Sequence, residues 1–346
     1  MARKICALLC AAALCCGMLS GCGGEDTKET SSSKSSAAET ALTPVTLNEV
    51  AHSIFYAPMY VAIEEGYFAE EGIALTLVNG FGADKVLTSL ISGEADIGFM
   101  GPESSVYAYL EGANDVVVNF AQLTQRAGNF LVGREPAEDF QWEDLKGSYV
   151  LGGRKGGMPE MVFEYVLKQN GIDPETDLEI NQGIDFGSTA AAFSGGQGEY
   201  TVEFEPSATA LEEQGDGYVI ASLGEDSGYV PYTAFSAKSS YMAENPEIIQ
   251  SFTDALQKGM DYVQSHTPEE IAEVIAPQFP ETELSTITTI VNRYYQQDTW
   301  KTDLIFSEDS FELLQDILES AGELSERAPY EELVDTSYAE KAAAKS

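Results

Sequence analysis

Three carboxylates stand at the ends of predicted strands, where a loop turns into a helix: Glu103 in "FMGPESS", Asp185 in "QGIDFGS" and Glu205 in "VEFEPSA". Paired acids of this kind could hydrolyse a glycoside, one as proton donor and the other as nucleophile or base. The same groups, ionised, accept hydrogen bonds and donate none, which suits an amino or ring N–H on a bound molecule. Thiol chemistry is closed to the body of the chain. All five cysteines, Cys6, Cys10, Cys15, Cys16 and Cys22, lie near the N-terminus, so the rest has neither a disulfide framework nor a cysteine-ligated metal. With only His52 and His266 beside them, no catalytic residue, cofactor or metal is expected.

Other turns of the same kind carry residue types that bind rather than react. "AHSIFYAP" brings His52, Phe55 and Tyr56 in front of a helix, offering a hydrogen-bonding imidazole and an aromatic wall. "GGRKGGMPE" places Gly153, Gly156 and Gly157 where backbone can approach a ligand closely, with Arg154 and Lys155 as local cations. It is no P-loop, because the Lys-Ser/Thr ending is missing. Gly82, Pro102 and Gln122 complete the expected ligand contacts, together with Glu103, Asp185 and Glu205.

The elements that must position these turns follow from periodicity. "VTLNEV", "IALTLV" and "DIGFM" read as strands, separated by the helical patterns of "APMYVAIEEGYF" and of Val86, Leu87, Leu90 and Ile91, and followed by a helix with Val106, Tyr109 and Leu110. The order repeats with the strands "SYVLGG", "LEI", "YTVEF" and "GYVIASL" and a helix carrying Val162, Phe163, Val166 and Leu167. From Ile248 onward the pattern is helical, and "TPEE" at Thr267 predicts a capped helix start with proline in its first turn. Such alternation predicts α/β units with parallel, helix-covered sheets, whose ligands sit at the carboxyl ends of the strands.

The N-terminus reads differently. Arg3 and Lys4 precede an apolar run from Ile5 to Leu19 that is too short for a comfortable membrane span, and "LSGC" resembles a bacterial lipobox ending at Cys22. Residues 1–21 are therefore expected to be a lipoprotein signal peptide. Residues 22–43, rich in Ser, Thr and Glu, are expected to be a flexible tether from a lipidated Cys22. With 18 Lys and Arg against 57 Asp and Glu, the net charge of −39 excludes nucleic acid as a partner.

"YAPMYVAIEEGYFAEEGI", "SLISGEADIGF" and "AFSGGQGEYTVEFEPSATAL" resemble the extracytoplasmic solute-binding proteins of ABC importers, in the group that includes nitrate, sulfonate, taurine and thiamine-pyrimidine binders. The resemblance implies a type II periplasmic-binding-protein-like fold, with two mostly parallel sheets flanked by helices and a ligand cleft between two lobes. It divides the chain into a first lobe at 44–133 and 235–330, a second lobe at 134–234 and a tail at 331–346. Crossings are expected near Val132 to Glu135 and Thr233 to Ala237. It implies a monomer, lipid-anchored outside the cytoplasm, that passes a small nutrient such as a pyrimidine precursor to a permease with its ATPase. A small sulfonate or nitrate-like anion held by Arg154 and Lys155 is the alternative ligand, and a secreted hydrolase the alternative class. A related branch makes the thiamine pyrimidine by self-sacrifice, with a cysteine-rich motif and active-site histidines. The body of this chain has no such cysteines.

Overall fold

The structure, a computed structural model, describes residues 41–346; the expected signal peptide and lipidated Cys22 lie outside the described residues. Strand β1 (Thr43–Glu49) leads through a short turn into helix α1 (Ala57–Glu64). β2 (Ile73–Asn79), α2 (Ala83–Ser92), β3 (Ile97–Met100), α3 (Glu103–Leu110) and β4 (Val117–Thr124) follow. The next strands are β5 (Asn129–Gly133) and β6 (Tyr149–Leu151), then α4 (Met158–Gln169), β7 (Glu179–Asn181), β8 (Tyr200–Phe204), α5 (Ser207–Gln214), β9 (Tyr218–Ser222) and β10 (Thr233–Lys238). Helices α6 (Pro246–Ser265), α7 (Pro268–Ile275), α8 (Leu284–Gln296), α9 (Glu308–Ser320) and α10 (Ser337–Ala343) end the chain.

Two five-stranded sheets result, in the orders β2-β1-β3-β10-β4 and β7-β6-β8-β5-β9. Each is mixed rather than mostly parallel. β10 runs antiparallel to β3 and β4, and β5 antiparallel to β8 and β9. The cause is the path of the chain. β4 and β9 end at the gap between the sheets, so the strands that follow, β5 and β10, start there and run outward, against neighbours that point inward.

The crossings therefore lie earlier than the sequence reading puts them, at residues 125–128 and 223–232. "NFLVG" and "TAFSA", taken there as a lobe end and a connection, are central strands buried on both faces, with backbone groups engaged in ladders on each side. Residues 331–346 are likewise no loose tail. Tyr338, Ala339 and Ala342 of α10 are buried, and the N–H of Asp335 donates to the carbonyl of Asn119 on β4.

The C-terminal helices close the first lobe. Ile249, Phe252, Leu256, Met260 and Val263 form the buried stripe of α6, and a Cβ on Gly259 would lie 2.3 Å from the carbonyl oxygen of Pro58, so only glycine lets α6 approach α1 this closely. Thr267 and Glu270 form the reciprocal cap expected at the start of α7. Phe99 and Phe235 stack across β3 and β10 with ring centres 4.2 Å apart, which ties the late strand into the first lobe.

Candidate functional site

β1, β3, β6 and β8 all end toward the gap between the sheets, and their turns line a cavity of about 90 Å³. The first lobe contributes Val50, Ala51, Ser53, Tyr56, Gly82, Ala83, Gly101 and Glu103. Arg154, Gly157, Met158, Pro159 and Phe204 face them from the second, Tyr232 comes from the second crossing and Thr233 from the start of β10. A side opening of about 250 Å³ adjoins it, sharing Val50, Ala51, Ser53 and Phe204 and adding His52, Glu203 and Glu205.

Glu103 is the distinctive group of the cavity. It begins α3, is 2% exposed, and its Oε2 has no hydrogen-bond partner. Burial pushes its carboxyl up to about 7, against its own backbone N–H, the charge of Arg154 and the N–H of Met158, all of which favour the ionised form. The carboxyl folds back over Gly101, where a Cβ would stand 2.0 Å from Oε2. Any side chain at 101 would displace it.

The floor is aromatic. Phe55 is fully buried, and its ring meets those of Tyr56, Phe204, Tyr232 and Tyr294 at centre distances of 5.1, 5.7, 5.6 and 5.2 Å. A Cβ on Gly128, in the first crossing, would lie 2.5 Å from that ring. The cluster packs residues of both lobes and both crossings against one another. Tyr56 alone of this pair of aromatics lines the cavity; Phe55 supports it from beneath.

Further contacts join the lobes at the rim. Tyr107 donates to the carbonyl of Gly156 at 3.2 Å, and Lys155 meets Glu323 at 3.4 Å. On the side opening, Arg293 of α8 pairs with Glu205 at 2.6 Å and with Glu212 at 2.8 Å. Ser53 donates to the backbone carbonyl of Glu205 at 2.6 Å.

A model of the family described as NMT1/THI5 like matches residues 54–271, more than half of the chain. The chain belongs to that family. The binding protein YtlA of Bacillus subtilis (strain 168) is 46% identical over 303 residues, 88% of this chain and 91% of that protein. The 4-amino-5-hydroxymethyl-2-methylpyrimidine phosphate synthase of Candida albicans (strain WO-1), at 23% identity, covers 63% of this chain and 66% of its own. Among solved structures, a ligand-binding component of an ABC-type import system from Staphylococcus aureus, crystallised with zinc, superposes with a TM-score of 0.69 at 14% identity, covering 87% of this chain and 99% of its own. The fold is thus that of the periplasmic binding proteins. No group of three or more metal-ligating side chains occurs among the described residues.

Within this NMT1/THI5-like chain the expected contacts separate into three sets. Tyr56, Gly82, Glu103 and Gly157 meet in the cavity. His52 and Glu205 border the side opening, each already engaged. Nδ1 of His52 lies 2.8 Å from the Glu49 carboxylate and Nε2 lies 2.8 Å from the carbonyl of Gln278; the bond to Glu49 leads in raising its pKa. The carboxylate of Glu205 accepts from Arg293, from the N–H of Thr209 at 2.9 Å and from its hydroxyl at 2.9 Å. The others line neither space. Phe55 is core, Pro102 precedes α3, Gln122 is buried in β4 with its Nε2 donating to the Thr124 carbonyl, and Asp185 is exposed. Gly153 and Gly156 shape the turn before α4 with positive φ, and the Gly156 N–H donates to Glu160.

Sequence reading missed Ser53, Phe204, Tyr232, Thr233 and Glu203. Phe204 had a local signal, being the last residue of a strand before a turn; Tyr232 and Thr233 had none, because the place of the second crossing depends on which sheet β10 joins.

Proposed function

We propose that this chain is the extracytoplasmic solute-binding component of an ABC importer, held to the membrane by a lipid on Cys22 and delivering a small nutrient, as a monomer, to a permease with its ATPase. Its cavity takes a small, flat molecule that donates hydrogen bonds, of the aminopyrimidine type. The observation that carries this reading is the unpartnered Oε2 of Glu103, buried in a cavity walled by Tyr56, Phe204 and Tyr232. A buried acceptor without a donor costs on the order of 1–3 kcal/mol, which a ligand N–H would relieve. The binding-protein relative and the import-system component support the transport role, and the pyrimidine-phosphate synthase relative supports the ligand class.

The proposed contacts are Glu103 for the donor, Tyr56, Phe204 and Tyr232 for the ring, and the turns at Gly82 and Gly157 for close backbone approach. Glu205 joins the lobes instead, through Arg293. A hydrolase gains no support from the geometry, since Asp185 is exposed outside the cavity and Glu205 is bound to an arginine, leaving Glu103 without a paired acid.

Calorimetric titration of the mature chain with aminopyrimidines, flavins, sulfonates and amino acids tests the ligand class. An aminopyrimidine should bind and raise the melting temperature, and remain unchanged on incubation. Binding of sulfonates in its place would overturn the donor reading. Cys22→Ser should release folded protein into the medium; its retention on the membrane would refute the anchor.

A further inference from the structure

We propose that Glu103 is a built-in anion, docked at the start of α4, that sets the selectivity of the cavity by keeping external anions out. This rests on the reading of the cavity as the ligand site and adds what decides between its two ligand classes.

α4 runs for 12 residues and has no side-chain cap at its first turn. Unpaired N–H groups and the helix dipole make such an end attractive to negative charge. In this chain two of its own carboxylates occupy that end. Glu160, in the first turn, accepts from the N–H of Gly156 at 3.1 Å. Glu103 reaches toward it from the other lobe, sharing the cavity wall with Arg154, Gly157 and Met158.

The carboxyl of Glu103 is only partly satisfied there. Oε2 is buried with no partner, so the group is stationed to accept one further hydrogen bond from whatever fills the cavity. Arg154 is the one cation among the described residues lining the cavity, and it lies where the Glu103 charge opposes any other anion it might attract. A sulfonate or nitrate at this helix start would have to share Arg154 with Glu103 and face its charge across the cavity. A donor-bearing ligand meets no such competition. Gly101 is part of the device, because the carboxyl occupies the space that a Cβ would fill.

Removing the internal anion should therefore open an anion site. Above about pH 8, where the Glu103 carboxyl, pushed up to about 7, is ionised, Glu103→Ala should bind methanesulfonate and nitrate at least about tenfold more tightly than the parent chain, roughly the effect of lifting one like charge beside a helix start. Adding Arg154→Gln should take the gain away. Glu103→Gln, which keeps the shape and removes the charge, should show a smaller gain in the same direction. Calorimetry reads the affinities, and near-ultraviolet circular dichroism verifies that each variant is folded. If folded Glu103→Gln and Glu103→Ala both bind the anions no better than the parent, or if the parent already binds them as tightly, the proposal is overturned. The outcome is independent of the aminopyrimidine titration: anion gain without pyrimidine binding would sink the ligand class alone, and pyrimidine binding without anion gain would sink this inference alone.

Discussion

Glu103 and Glu205 occupy equivalent places in the two lobes, each between the end of a strand and the start of a helix, and each buried to within a few per cent. Their surroundings differ in one respect. Glu205 meets Arg293, which arrives on α8 from 88 residues away in sequence, together with both donors of Thr209. Glu103 faces Arg154 across the cavity without an ion pair, and its Oε2 has no partner. The same local signal thus yields a strut in one lobe and an open acceptor in the other. What separates them is direct pairing with a cation, which the tertiary fold gives Glu205 at 2.6 Å and does not give Glu103.

The largest effect should come from breaking the strut. Arg293→Met leaves Glu205 buried beside Thr209 without its cation, and chemical denaturation should show a loss of about 3 kcal/mol, the low end for a broken buried pair because Arg293 is partly exposed. Should stability hold, the contrast between the two carboxylates would collapse.

Glu103→Gln should act on binding instead. Affinity for a donor-bearing ligand should fall by roughly 1.5–3 kcal/mol, about tenfold to a hundredfold, with the melting temperature of the free chain unchanged or raised. A lowered melting temperature at full affinity would make Glu103 the strut.

Gly101→Ala sharpens the same point with an intermediate effect. The new methyl must push the carboxyl off its position, so donor-ligand affinity should fall while Glu103 itself remains. Unchanged affinity in calorimetry would argue that the fold of the carboxyl over Gly101 is not needed.

A further effect concerns pH. Burial raises Glu103 and Glu203 to about 7, and Glu160 to about 8, from an ordinary 4.5. A carboxyl that holds its proton more tightly when folded contributes stability that is full below its unfolded value and lost as pH rises through its folded value. The melting temperature of the free chain should therefore decline between about pH 5 and pH 8, and less steeply in Glu103→Gln and Glu203→Gln. Parallel curves for parent and variants would show that these carboxyls are not responsible.

Much of the scaffold was legible in the sequence. The stripe of α6 and the cap at Thr267 follow from spacing alone, because an amphipathic helix states its period locally. β4, β5 and β10 were not legible as strands of their sheets. Their runs are buried on both faces almost throughout, so they lack the alternation that marks a half-exposed strand.

The sequence by itself determined the acidic, cysteine-free body, the strand-to-helix turns and the residue types gathered in them, since charge, capping and periodicity act over a few residues. Only the tertiary structure decided which of those turns converge. Tyr56, Gly82, Glu103 and Gly157 face one another because two crossings bring the ends of two sheets together, and Glu205 was drawn into the frame because α8 returns Arg293 to it. Hydrogen-bond satisfaction of a buried group depends on neighbours from distant parts of the chain, and no local pattern encodes which carboxylate will find one.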